Sequence, residues 1–219
     1  MSSPYFLDQC QKPGIGKKPP LSLENLESNK TQATIHVLLM FYRRHLPHWQ
    51  KADSALFITW RLYGSLPRQA VASYFNEANP GKRFLLLDGE LDQARVGPTW
   101  LKDDRVAQTV VASLCNGAEK PGLYRLSAYV VMSNHVHVLL WPKALLSRIT
   151  KSIKGYTARE CNKLLGRTGE AFWQDESFDH AVRSEEEFCR IKRYIERNPV
   201  KARLVNSPEE WPWSSVAKK

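Results

Sequence analysis

Residues 123–142 read LYRLSAYVVMSNHVHVLLWP. Two runs rich in Val, Leu, Tyr and Trp flank Ser133-Asn134, a pair suited to a turn, so the stretch reads as two neighbouring strands, Leu123 to Met132 and His135 to Trp141. The first is apolar almost throughout and reads as buried on both faces. Successive side chains of a strand point to opposite faces, so His135 and His137 project together while Val136 turns the other way.

Upstream, Ala55 to Tyr63 alternates Leu56, Ile58, Trp60 and Leu62 against Phe57, Thr59, Arg61 and Tyr63, the pattern of a strand closed by Gly64 and Pro67. Between Arg68 and Trp100 the pattern is mixed, and Asn79-Pro80-Gly81 and Gly97-Pro98 mark loops around short elements. Asp103 or Asp104 caps a helix that carries Val106, Val110 and Leu114, with Gly117 as its stop. Downstream, a helix over Ala144 to Leu165 places Leu146, Ile149, Ile153, Tyr156 and Leu164 on its apolar face, which predicts that the Tyr156 ring packs against the sheet. A short strand follows over Phe178 to Arg183. Ser184 with Glu187 forms a capping box for a last helix that Pro199 ends near Asn198. Strand, helix, two strands, helix, strand and helix make an α+β domain, an antiparallel sheet covered by helices.

Met1 to about Lys30, rich in Pro, Gly, Ser, Asn and Lys, reads as a flexible arm. The expected division is an amino-terminal extension over 1–54, a domain over 55–215 and a tail over 216–219. The one long apolar run, Ala33 to Tyr42, is interrupted by His36 and too short to span a bilayer; it reads as a buried helix. No secretory pattern opens the sequence, which points to the cytoplasm. Cys10, Cys115, Cys161 and Cys189 have no paired spacing and read as small hydrophobes.

A formal net charge of +10 on 219 residues attracts polyanions, with nucleic acid or an anionic membrane surface as the first candidates. Between Lys143 and Arg167 only Glu160 opposes the basic residues. Arg148, Lys151, Lys154, Arg159 and Lys163 are therefore read as a nucleic-acid contact in preference to a merely solvated face.

His135-Val136-His137 admits two readings, a pair of metal ligands or two packed, hydrogen-bonded histidines. Tyr194 and Asn198, four apart, share one face of the last helix beside Phe188, Ile191 and Ile195. Arg190 and Arg197 flank the tyrosine at i−4 and i+3. A phenol with a reference pKa of about 10 attacks phosphate poorly at neutral pH, and neighbouring guanidinium groups or a metal would assist it. The alternative is a boundary tyrosine among solvated arginines.

The stretch Ala128 to Pro142, AYVVMSNHVHVLLWP, resembles the His-hydrophobe-His strand of the HUH single-tyrosine, IS200-like transposases. Trp173-Gln174, the run Phe178 to Arg183 (FDHAVR) and the run Tyr194 to Lys201 (YIERNPVK) are similar to one branch, the REP-associated tyrosine transposases, bacterial proteins tied to repeated extragenic palindromes. The resemblance covers roughly Ala55 to Ser214 and includes His180 and Arg183, to which it gives no role. It implies a ferredoxin-like antiparallel sheet flanked by helices, the HUH endonuclease fold. It also implies that His135 and His137 are metal ligands, that Asn198 is the third where many relatives carry Gln, and that Tyr194 is the nucleophile. Mg²⁺ or Mn²⁺ is the implied cofactor, single-stranded or hairpin DNA the implied partner, and a nucleoid-associated cytoplasmic protein the implied setting, with no membrane partner. Monomer or homodimer stays open, as do the hairpin recognised and whether the protein is mobile or domesticated. A domesticated DNA-binding regulator that does not cut is the principal rival. An RNA-processing phosphodiesterase would want two histidine centres, where this sequence has one His-x-His and scattered histidines.

Overall fold

The computed structural model describes residues 41–43, 47–49, 54–67, 77–119 and 122–218. Strands β1 (Phe41–Arg43) and β2 (Pro47–Trp49) form a small antiparallel pair. Phe41 and Tyr42 are therefore extended, not helical as the apolar run suggests, in keeping with the preference of aromatic residues for strands. The rest of that run, from Ala33 to Met40, lies outside the described residues, as does the arm Met1 to Lys30.

The main sheet holds β3 (Leu56–Arg61), β4 (Tyr124–Val131), β5 (His135–Pro142) and β6 (Phe178–Ala181), in the order β4-β5-β3-β6, each pair antiparallel. Helices α1 (Pro80–Gln93) and α2 (Asp104–Glu119) precede β4, α3 (Leu146–Leu164) links β5 to β6, and α4 (Glu185–Lys201) follows. This is the α+β arrangement that the element order predicts and the ferredoxin-like sheet flanked by helices that the resemblance implies.

Strand alternation divides the sheet into two unlike faces. Leu56, Ile58, Trp60, Val136, Val138 and Leu140 pack with Val106, Val110 and Leu114 of α2 and Leu146, Ile149 and Ile153 of α3. On the other face Phe57, Val130 and Leu139 meet Phe84 of α1 and Ile195 of α4. Thr59, His135 and His137, odd-numbered like Phe57 and Leu139, belong to this second face and are buried. In β4 a register shift between Leu126 and Ala128 interrupts the alternation. Burial on both faces holds only toward its end; Arg125 is exposed.

Several local expectations change for identifiable reasons. The segment read as loops contains α1, because Asn79-Pro80 is a cap and not a turn: Asn79 Oδ1 accepts from the N–H groups of Gly81 and Lys82 at 2.9 and 3.1 Å, and Pro80 sits where a helix needs no donor. Gly117 does not stop α2, which runs on to Glu119. It is there for want of a Cβ, which would collide with the ring of Tyr124, whose hydroxyl donates to Leu114 O at 2.8 Å. The buried stripe of α3 continues from Ile153 through Thr157 and Cys161, leaving Tyr156 46% and Leu164 39% exposed. Tyr156 is thus a surface residue, one helical step off the stripe. In α4, Ser184 Oγ accepts from Glu187 N–H at 3.2 Å, but the Glu187 carboxylate reaches the Arg183 N–H at 2.7 Å and His180 Nε2 at 3.0 Å, so the box closes one residue early. That contact gives His180 and Arg183 a structural role. Pro199 does not end α4: the helix continues to Lys201, with Ala202 N–H donating to Asn198 O at 2.9 Å. One extra turn beyond Asn198 decides what reaches the site below.

Candidate active site

The two histidines of β5 stand side by side, with Nε2 atoms 3.1 Å apart and no exposed surface. Each ring is oriented through its other nitrogen: His135 Nδ1 by Asn134 Oδ1 at 2.7 Å, and His137 Nδ1 by the Thr59 hydroxyl at 2.7 Å across the β3–β5 ladder. An amide oxygen only accepts, so the His135 proton sits on Nδ1 and its Nε2 lone pair faces inward. Burial, aided by the neighbouring His137, pushes His135 down to about 3, so this imidazole is neutral.

Into the same space α1 sends Asp88. Its Oδ1 lies 3.0 Å from His137 Nε2 and 3.8 Å from His135 Nε2, yet it has no hydrogen-bond partner. A buried carboxylate oxygen this near two imidazole nitrogens, and outside hydrogen-bond geometry, is an arrangement that a cation would relieve. Asn198, one turn after Tyr194 on α4, completes the ring: its Nδ2 is 3.3 Å from His137 Nε2, while its buried Oδ1 has no hydrogen-bond partner. Half a turn of the amide exchanges the two atoms and directs the oxygen at the histidines. Asp88, His135 and His137 offer donor atoms within 4.8 Å of one another, and with the Asn198 oxygen they make a nitrogen and oxygen set that fits a divalent cation.

Tyr194 lies against this cluster, its ring 5.8 Å from that of His137 and edge-on to Phe57 and Phe84 at 6.2 and 6.0 Å. Its hydroxyl donates to Asp88 Oδ2. The same oxygen accepts from Lys201 Nζ at 3.0 Å, and Lys201 also reaches Asp92 Oδ2 at 2.8 Å. Burial works to raise the Asp88 pKa, but the adjoining His137 overrides it and holds the carboxyl below the usual range. Asp92 goes the other way, raised by burial and by the Asp88 charge. Burial first, then the Asp88 charge, raises the Tyr194 phenol, which is neutral at physiological pH.

His135, His137, Tyr194 and Asn198 are thus brought together as the sequence suggests, and one chain supplies them all. The basic residues divide. Arg190 and Arg197 line an open cleft beside Tyr194 together with Arg193 and Lys201. Arg148, Lys151, Lys154, Arg159 and Lys163 belong to α3, which packs on the opposite face of the sheet. Lys154 is a tether there, donating to the carbonyls of Gln174 and Asp175 at 2.7 and 2.8 Å, and Lys163 pairs with Glu160 at 3.0 Å. Sequence reasoning missed Asp88, Asp92, Arg193 and Lys201. A carboxylate on the apolar line Phe84, Asp88, Leu91 was a signal, since charge is costly to bury without a task.

Residues 99–198, a little under half of the chain, match the family model "Transposase IS200 like". No curated protein matches the sequence. Among solved structures, one of a REP-associated tyrosine transposase bound to a REP hairpin shares 20% identity, covering 80% of this chain and 81% of that one, with a TM-score of 0.51. Another, of a protein from Deinococcus radiodurans R1 assigned as a transposase, shares 20% identity over 72% of this chain and 98% of that one, with a TM-score of 0.37. Among the described residues no helix is long and apolar enough to cross a membrane. Residues 99–198 are thus similar to the IS200-like transposases; they carry β4, β5 with the histidine pair, β6 and the tyrosine helix as far as Asn198, while the inner strand β3 lies before them.

Proposed function

We propose that this chain is a single-tyrosine endonuclease and strand transferase that acts on single-stranded, hairpin-containing DNA through a 5′-phosphotyrosine on Tyr194. The observation that carries this reading is the meeting of Tyr194 with His135, His137 and Asn198 on one buried sheet face beside a cationic cleft. The hairpin-bound neighbour supports the choice of substrate.

A divalent cation, Mg²⁺ or Mn²⁺, held by His135, His137, Asn198 and Asp88 would polarise the scissile phosphate and offset the charge that builds on it. Arg193 and Arg197, exposed on α4, bind the strand by its phosphates and guide it along the cleft to Tyr194. Phe57 and Phe84 fix the Tyr194 ring, and Asp88 holds its hydroxyl. The Tyr194 oxygen attacks phosphorus as its proton passes to water, with Asp88 orienting the hydroxyl. The bond from phosphorus to the 3′ oxygen breaks, and that oxygen takes a proton from water and leaves as a free 3′ hydroxyl. The phosphotyrosine ester conserves the bond, so a 3′ hydroxyl attacking it rejoins or transfers the strand without a nucleotide cofactor. Selection of the DNA sequence or hairpin is assigned to loops or to the amino-terminal arm.

The test is cleavage of an end-labelled hairpin oligonucleotide with its single-stranded flank. The protein should give a free 3′ hydroxyl and a protein-linked 5′ fragment with Mg²⁺ or Mn²⁺, and neither with EDTA. Hairpin binding without either product would favour the non-cutting regulator.

A further inference from the structure

Lys201 differs from the arginines that share its cleft. Arg193 and Arg197 present their side chains to solvent and Arg190 reaches Glu187 on its own helix at 3.4 Å, whereas Lys201, itself 46% exposed, carries its ammonium over the Tyr194 ring, 5.3 Å from its centre, to two buried carboxylates. Those carboxylates, Asp88 and Asp92, stand one turn apart on α1, 0% and 8% exposed. Two such groups side by side repel, and one cation between them makes the pair tolerable. The ammonium takes one oxygen from each, at 3.0 and 2.8 Å.

The consequence is orientational. Asp88 has two oxygens with different tasks: Oδ1 faces the histidines, and Oδ2 accepts from Tyr194. Lys201 binds Oδ2 and so fixes which oxygen faces which partner. It arrives there only because α4 runs on past Pro199. All three residues lie outside the family-matched segment 99–198, Asp88 and Asp92 before it and Lys201 after it.

We infer that Lys201 is a positioning residue of the proposed nuclease, acting through Asp88 to hold the tyrosine hydroxyl and the histidine pair in register. This assignment rests on the nuclease reading for its rate measurement, but not for its measurement of cation binding.

Lys201→Met is the test, with Lys201→Arg as the conservative variant, both measured per folded molecule in single turnover and by Mn²⁺ titration of DNA-free protein. Groups that orient metal ligands are worth about 10–100-fold in affinity or activity. Lys201→Met should therefore slow adduct formation at saturating DNA at least about tenfold and weaken Mn²⁺ binding about tenfold, with hairpin affinity changed less than about twofold; Lys201→Arg should recover most of both. Removing a positive charge beside a cation site would by Coulomb attraction alone tighten Mn²⁺, so weakening reports lost orientation. Unchanged or tighter Mn²⁺ binding overturns the inference. So does a loss confined to DNA affinity, which would make Lys201 a phosphate contact, or a loss of thermal stability alone. In an Asp88→Asn/Asp92→Asn background, Lys201→Met should alter neither quantity further. If the wild-type chain forms no adduct and takes up no Mn²⁺, it is the nuclease reading that fails; normal wild-type behaviour with an indifferent Lys201→Met fails this inference alone.

Discussion

Tyr194→Phe separates the two tasks of one side chain. The ring's edge-on contacts with Phe57 and Phe84, at 6.2 and 6.0 Å, are available to phenylalanine as well. What disappears is the hydroxyl that donates to Asp88. A hydrogen bond to a charged group contributes about 1.5–3 kcal/mol, and leaving the acceptor buried and bare puts a loss at the upper end. Asp88 Oδ2 is not left bare, because Lys201 Nζ stays 3.0 Å away. The lower end, about 1.5 kcal/mol, is therefore expected, and for a body of this size it lowers the melting temperature by about 3–6 °C. Circular-dichroism melts in EDTA measure this directly, and hairpin affinity measured alongside should be unchanged. The same variant should form no covalent adduct. A melting temperature equal to wild type would refute the hydrogen bond, a fall beyond about 10 °C would refute the claim that Lys201 keeps Asp88 satisfied, and an adduct would refute the nucleophile.

The remaining predictions concern the ligands, the cleft and the core. His137→Ala should lose both Mn²⁺ uptake and cleavage, matching the EDTA-treated wild type, as read by titration and by gel. Arg193→Ala/Arg197→Ala should weaken binding to all single strands and flatten the slope of log affinity against log salt by about 1.4, whereas Lys151→Ala/Lys163→Ala, on the far sheet face, should leave adduct formation unchanged. Gly117→Ala should destabilise the fold by about 1–3 kcal/mol in urea, since the new methyl meets the buried Tyr124 ring. Cys161, buried and pushed up to about 12 chiefly by burial, should resist alkylation at pH 8 in native protein while Cys115 and Cys189, only partly buried, react first; peptide mass mapping reads the order.

Much of the sheet was legible because strand alternation is a strong signal: Leu56, Ile58 and Trp60 against Phe57 and Thr59 predicts β3 and its two faces, and the histidine pair inherits its direction from the same rule. Tyr194 and Asn198 were legible as helical neighbours. Asp88 was not, because Asn79-Pro80-Gly81 satisfies the turn rules and the cap rules equally, and only the packing of Phe84 and Leu91 decides between them. Lys201 was hidden by Pro199, which normally closes a helix but here sits in the last turn, where one lost hydrogen bond is tolerated. The charge of α3 was legible but its direction was not: a basic stripe says that one face is solvated, and which side of the sheet it decorates is settled only by the packing of Ile149 and Ile153 against β3 and β5.

The central claim is that Tyr194 is the atom-for-atom point of attachment to DNA. Adduct formed with a hairpin oligonucleotide and Mn²⁺ can be digested with nuclease and protease and its peptides sequenced by tandem mass spectrometry. The nucleotide phosphate is predicted on the Tyr194 side chain, in the peptide that also carries Asn198 or its immediate neighbours. Attachment to exposed Tyr156, or cleavage that leaves every tyrosine unmodified, would contradict it.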